Sequence, residues 1–403
     1  MKQDGSGDQL EAGTALQLVL FEFDPDPDPN RRRTNTVGIY DIAPRWVFPS
    51  YKSENGERVE SRNDTPIQRD FEFHGKDYKL TLKPAFIQRK VREDQGADEG
   101  WVNVFPGERE QIVEEVIRRL ATERGRLTLD RQDRVILRFS LYEVQKELER
   151  VNHTLNITEI KEALTILHQS FIEIRRKGKG GSAELSSTAF PTLAFRTRFQ
   201  GDDEDRPSVN ETQLQFNPLV ADSIRSMNFR MISYRWLMGL KNPVSRWLYK
   251  RLVLRYESAS APTPTVMRAS AIIRDSGMNE YSRPRDTLRA VRDTVMALKS
   301  AGIVESVEVE QVKEGRRLSD EIYTMFPSST FLREVETALQ IASHNAQELT
   351  KAAAAGAEAG DFLRLGGAEA ATARRRRRTL LTDATASETA ASGAAVAEAE
   401  ENS

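Results

Sequence analysis

Cysteine is absent from this chain. That removes disulfides, thiolate metal sites and a cysteine nucleophile together, and it permits a reducing compartment. Histidine is nearly as scarce: His74, His153, His168 and His344 are scattered, with no His-x-His pair and no i, i+4 spacing that would hold zinc on a helix. No apolar run approaches the ~20 residues of a membrane helix. Residues 1–15 are polar and acidic and lack the layout of a secretory signal. A nucleotide-cradling loop is missing as well, because the stretch GKGGS at 178–182 lacks the lysine position that such a loop requires. The acidic run at 202–205 reads as a solvated insertion rather than a metal site. These absences lead to an expectation of a soluble cytoplasmic protein with no cofactor, no metal and no enzymatic activity.

What is present is an uneven charge. The net value is only −2. Residues 224–317, however, hold 18 Lys and Arg against 9 Asp and Glu, a net of +9, while residues 1–106 hold 15 against 19, a net of −4. Phosphate neutralisation depends on the charge of the docking face rather than on the total, so the local excess points to nucleic acid.

Within the basic part, residues 268–325 carry the clearest pattern. A helix is predicted from about Ser282, as its cap, to Lys299, with Pro284 near its start and Ala301-Gly302 at its end. Leu288, Val291, Val295 and Leu298 recur at spacings of three and four and form a buried face. Arg285, Arg289 and Arg292 keep the same period. At 100° per residue they fall within about 60° of one another, roughly 110° from the apolar centre. A short helix at 270–276, stopped by Gly277, precedes this one. Strands at 304–312 and 322–325, around the basic tip 313–317, follow it. Two helices followed by a hairpin point to a winged helix-turn-helix.

The same order is expected once before. Helices are predicted at 107–124, 140–148 and 156–169, the last two with Ser140/Glu143 and Asn156/Glu159 in capping-box register. A strand at 171–176, a glycine turn at 177–181, a returning strand at 190–199 and a strand at 213–216 come next. A connecting helix at 217–225, a helix beginning at 231–240 and a strong helix at 243–258 lead into the second unit. The fold expected is therefore α+β: two tandem winged helix-turn-helix domains, at 107–222 and 223–343. A small β-rich accessory region occupies 36–106, with strands at 37–40, 46–47, 70–73 and 78–82. A flexible segment at 1–35 contains the DPDPDP repeat, and a disordered, alanine-rich tail at 344–403 contains five consecutive arginines at 374–378.

The expected DNA-binding residues follow from these positions. Arg285 and Arg289 are the candidate base readers, because recognition helices read with their N-terminal half and a guanidinium can donate two parallel bonds to guanine. Arg283 and Arg292 complete the helix set; pairing with Asp286 and Asp293 is the bland alternative. Lys313, Arg316 and Arg317 at the hairpin tip would reach phosphate or the minor groove. Arg268 and Arg274 would hold the backbone beside the shorter helix. In the first unit Lys161 and Thr165 lie on the third helix, and Arg175, Arg176, Lys177 and Lys179 on the hairpin. That set suits phosphate contacts from the hairpin, or a dimerisation surface.

Four stretches then resemble plasmid replication initiator proteins: FSLYEVQKEL at 139–148, EIKEALTIL at 159–167, SRWLYKR at 245–251 and LKSAGI at 298–303. The resemblance covers roughly residues 107–333. It implies two tandem winged-helix domains that bind repeated origin sequences (iterons) in duplex DNA, open an adjacent AT-rich region and recruit host initiator and helicase. It also implies that the C-terminal domain reads sequence while the N-terminal one contributes backbone contacts and dimerisation, as a homodimer in equilibrium with monomer. The alternative is a winged-helix transcriptional repressor that binds an operator as a dimer. A primase or nickase lacks supporting residues.

Overall fold

The computed structural model describes residues 32–48, 65–93, 96–122, 126–129, 134–178, 181–195, 211–226, 228–256 and 263–354. The chain begins with strand β1 (Arg33–Thr36) and helix α1 (Gly38–Ile42), then the hairpins β2 (Ile67–Phe73)–β3 (Lys76–Lys83) and β4 (Ala85–Glu93)–β5 (Gly96–Val104). Of residues 37–40, expected as a strand, Gly38–Tyr40 open helix α1 instead and Val37 is its extended N-cap. The Asp41 carboxylate accepts the Val37 N–H at 2.5 Å and the Thr36 hydroxyl at 3.0 Å, so local side-chain bonds at the helix start override the β-propensity of a short run. Residues 46–47 form no strand either; the Val47 N–H donates to the Pro106 carbonyl at 2.9 Å. The segment expected to be flexible up to residue 35 contributes β1 from Arg33 onward.

The first unit comprises α2 (Glu108–Ala121), β6 (Leu127–Leu129), β7 (Val135–Phe139), α3 (Leu141–Arg150), α4 (Ile157–Gln169), β8 (Phe171–Gly178), β9 (Gly181–Thr188), β10 (Thr192–Phe195) and β11 (Thr212–Gln215). Both expected capping boxes form. The Ser140 hydroxyl and Asn156 amide oxygen accept from the N–H three residues on, at 3.2 and 2.9 Å, and Glu143 and Glu159 reach back to the cap N–H. The return strand of the hairpin is β9, not residues 190–199. It follows β8 at once, and β10 joins a different sheet in the order β10-β11-β7-β6.

The hairpin of the first unit is not free-standing. Strand β3 pairs antiparallel with β8, Leu80 opposite Ile174 and Leu82 opposite Ile172, giving a sheet in the order β2-β3-β8-β9. Two strands of the expected accessory region therefore extend the first unit. The β4–β5 hairpin lays Ala85 and Ile87 on Ile166 of α4 and leaves Phe86 and Trp101 stacked and exposed on its outer face.

The second half runs through α5 (Pro218–Arg225), β12 (Arg230–Ser233), α6 (Tyr234–Gly239), α7 (Pro243–Arg255), β13 (Thr265–Arg268), α8 (Ala269–Ser276), α9 (Pro284–Ser300), β14 (Val304–Glu314), β15 (Arg317–Pro327) and α10 (Ser329–Ala354). The expected helix at 231–240 starts as strand β12, which pairs with β1, Arg33 opposite Ser233. Helix α7 ends at Arg255, short of the expected 258. Strands β13, β15 and β14 form one antiparallel sheet in that order. Helix α10 crosses the boundary expected at 343/344. It buries Phe331, Val335, Ala338 and Ile341, and the Phe331 ring lies 5.6–6.4 Å from those of Tyr256, Tyr249 and Trp236. The tail beyond Ala354, with its arginine run at 374–378, lies outside the described residues.

The two halves share one continuous apolar core. At their junction sits a buried ionic cluster. Asp41 of α1 meets Arg118 of α2 at 2.5 Å and Lys250 of α7 at 3.0 Å. Arg45 meets Glu114 at 2.6 Å, and Lys250 also meets Glu115 at 2.5 Å. Three acids and three bases balance, so the cluster is neutral. Burial alone would raise the Asp41 pKa, but Arg118, Lys250 and Arg45 override it and hold the carboxyl well below the usual carboxylate range.

Candidate nucleic-acid interface

Helix α9 starts at Pro284, where the missing N–H costs nothing. Its N-cap is Arg283, not Ser282, and no side chain caps it. The entry is fastened instead by the Thr287 hydroxyl, which accepts the Tyr281 N–H at 2.8 Å. Leu288, Val291, Val295 and Leu298 are buried as their spacing predicts. Thr294 joins that face: its hydroxyl accepts from the Asn242 amide at 3.0 Å and its carbonyl accepts the Ser245 hydroxyl at 3.1 Å. Asn242 is also the cap of α7, accepting the Val244 N–H at 2.8 Å. One residue thus sets where α7 begins and how α9 lies across it.

On the opposite side Arg283, Arg285 and Arg289 are exposed, and none forms an ion pair among the described residues. The bland alternative, pairing with Asp286 or Asp293 on the same helix, does not occur there. Arg292 differs. Its guanidinium donates to the Glu321 carboxylate of β15, which is fully buried, and the Tyr323 hydroxyl donates to the same carboxylate. The bond to Glu321 raises the Arg292 pKa above its ordinary value.

The adjoining hairpin β14–β15 carries the basic tip. Glu314 pairs with Arg317, leaving Gly315 and Arg316 as a two-residue turn. Gly315 sits at φ +64° while Arg316 stays at negative φ, the pattern of a turn whose first central position takes glycine. Lys313, Arg316 and Arg317 are exposed there, with no ion pair among the described residues. At the other end of β15, Asp320 accepts the Ser270 N–H at 3.2 Å and its hydroxyl at 2.7 Å, so a strand carboxylate satisfies the start of α8. Arg268, 58% exposed, lies 3.8 Å from the same acid.

The structural likeness is to RctB and to the Pi initiator. Domains 2 and 3 of RctB match at 10% identity with a TM-score of 0.42, over 72% of this chain and 96% of that one. A second structure of those domains gives 9% identity and a TM-score of 0.39, over 73% and 99%. The Pi initiator protein, solved in complex with iteron DNA, matches at 14% identity with a TM-score of 0.38, over 55% of this chain and 91% of that one. No family model and no curated relative matches the sequence.

The remaining expected residues fall into two groups. Arg274 stays exposed but is paired, with Asp275 at 2.7 Å and Glu72 of β2 at 3.6 Å; its bond to Asp275 raises its pKa. In the first unit Arg175 is held between Glu173 at 2.7 Å and Glu184 at 3.0 Å. The Thr165 hydroxyl donates to the Lys161 carbonyl at 2.9 Å, and the Lys161 ammonium sits 5.7 Å from the centre of the Phe195 ring. Arg176 is half-buried on β8 without an ion pair among the described residues. Lys177 lies on β8, its side chain outside the described set, and Lys179 is not among the described residues.

Asp320 and Glu321 escaped the sequence reading. Glu321, Tyr323 and Met325 alternate on the core side of β15, all of them buried. A carboxylate standing in an otherwise apolar alternating row is the sign that marks such a residue, because a buried acid needs a cation opposite it. Among the described residues no group of three His, Asp or Glu could hold a metal, and no helix is long and apolar enough to cross a membrane.

Proposed function

We propose that this protein initiates plasmid DNA replication by binding duplex DNA, through two tandem winged helices and without chemistry of its own. The observation that carries the reading is the set of three guanidinium groups without an ion pair among the described residues, Arg283 at the N-cap and Arg285 and Arg289 in the first two turns of α9, beside a hairpin with a basic tip. In this reading α7, β13, α8, α9 and the β14–β15 wing form the reading domain. Helices α2, α3 and α4 with the β8–β9 hairpin form its partner. Arg283 and Arg289 are six residues apart, about 9 Å along a helix axis, which suits a major groove ~12 Å wide. Strands of 11 residues hold the wing tip well beyond the helix, at ~3.4 Å per residue, and so bring Lys313, Arg316 and Arg317 to flanking phosphates.

Among the described residues the first unit offers fewer unpaired cations, which suits backbone contacts or dimerisation. The partners proposed are origin iterons in duplex DNA, a second copy in equilibrium with monomer, and the host initiator and helicase. Footprinting on direct repeats beside an AT-rich tract tests the reading. Protection of two successive major-groove faces per monomer, with melted bases on supercoiled template, is the expected outcome. Protection of a single palindrome with the duplex left closed would make the protein a repressor instead.

A further inference from the structure

Arg292 lies on the same stripe as Arg285 and Arg289, yet its electrostatics are different. Its side chain keeps 44% of its surface exposed, so the group is near solvent and could turn outward. What holds it is Glu321, whose side chain is entirely buried under β15 and which carries the Tyr323 hydroxyl on its other oxygen. The neighbouring Asp320 fastens α8 through Ser270. Two consecutive acids of one wing strand therefore grip both helices of the motif.

We propose that Glu321 is a specificity-setting positioning residue: it withholds Arg292 from DNA and locks α9 against the wing, leaving base reading to Arg283, Arg285 and Arg289. The inference rests on the DNA-binding reading above and names how that site limits its own non-specific grip. A buried carboxylate left without its cation is strongly disfavoured, which keeps the pair closed while DNA is bound. A guanidinium so neutralised neither displaces counterions from phosphate nor adds to the salt dependence of binding. Were all four arginines available, the extra charge would strengthen binding to any duplex and dilute the advantage of the correct site.

The test measures affinity against salt on an origin repeat and on random duplex, for the full chain and two variants. In Glu321→Gln the charge that retains Arg292 is gone. The salt slope on random DNA should steepen by about 0.9, the value of one added phosphate contact, and the target-to-random ratio should fall. In Arg292→Met/Glu321→Gln both charges are removed together, and slope and ratio should match the unaltered protein. This second variant leaves no buried unpaired charge, so it reads out the inference even where the single variant folds poorly. A slope shallower by about 0.9 in the double variant would show that Arg292 already touches DNA and would overturn the proposal. An unchanged slope in folded Glu321→Gln would do the same. If the unaltered protein shows no preference for any repeat, the DNA-reading proposal itself fails, and that result is distinct from either.

Discussion

Arg289 and Arg292 are nearly one helical turn apart and read alike in the sequence, yet only one of them has a buried acid within reach. The consequence can be measured. Arg289→Ala should cost roughly 1–3 kcal/mol on the target and relax preference at one base position, read by fluorescence anisotropy on single-base variants of the site. Lys313→Ala should weaken target and random duplex alike and lower the salt slope by about 0.9. Equal losses on both DNAs for Arg289→Ala would remove base reading from α9. A third residue, Asp41, answers to pH. Its folded pKa lies below its unfolded one, so its stabilisation is complete above the ordinary carboxylate range and is lost progressively as pH falls from that range down through the depressed value. Urea unfolding from pH 7 down to strong acid should therefore show a loss in the native chain that is shallower in Asp41→Asn. At neutral pH, removing this one partner should cost about 3–5 kcal/mol because it takes from the buried Arg118 its ion-pair partner, while Lys250 keeps Glu115.

Elements differ in how much of themselves they announce. Helix α9, the capping boxes of α3 and α4, the stop at Gly277 and the basic-tipped hairpin were all legible, because each depends on residues within a few positions of one another. Strand pairings were not. Nothing local to Leu80 names Ile174 as its partner, and β1, at four residues, is too short to show a period. The return strand β9 was missed because its glycine- and serine-rich stretch carries little β-propensity and stays largely exposed. Among the candidate contacts, the stripe itself was legible, but not that Arg175, Arg274 and Arg292 would each find an acid: Glu184, Glu72 and Glu321 stand on other strands, and nothing in the pattern singled out the nearby Glu173 or Asp275 as partners. Gly277 shows how an element depends on a distant one. It ends α8 at φ +69°, and a Cβ there would lie 2.5 Å from the Arg69 guanidinium and 2.9 Å from Pro44. Gly277→Ala should destabilise the protein by at least about 1–2 kcal/mol, from the backbone conformation alone, in chemical denaturation. A variant as stable as the parent would mean that α8 is not pinned by the N-terminal segment.

At the scale of the molecule the two units are not beads on a string. A shared apolar core, the neutral ionic cluster on α1, α2 and α7, and the β1–β12 ladder all cross between them. Calorimetry should accordingly give one unfolding transition for the whole chain, and two resolved transitions would show the units to be independent. The β1–β12 ladder also bears on how the protein is made. Arg33 emerges early from the ribosome but must wait for Ser233, roughly 200 residues later, which at about 5–20 residues per second is ~10–40 s of synthesis. Only near the end of that interval is the first unit complete in sequence, and it then still lacks the strand partner and the Lys250 ammonium that close its seam. Until then the β1 edge stays unpaired and the five cluster members already made carry one uncompensated negative charge, which the Lys250 ammonium neutralises when α7 arrives.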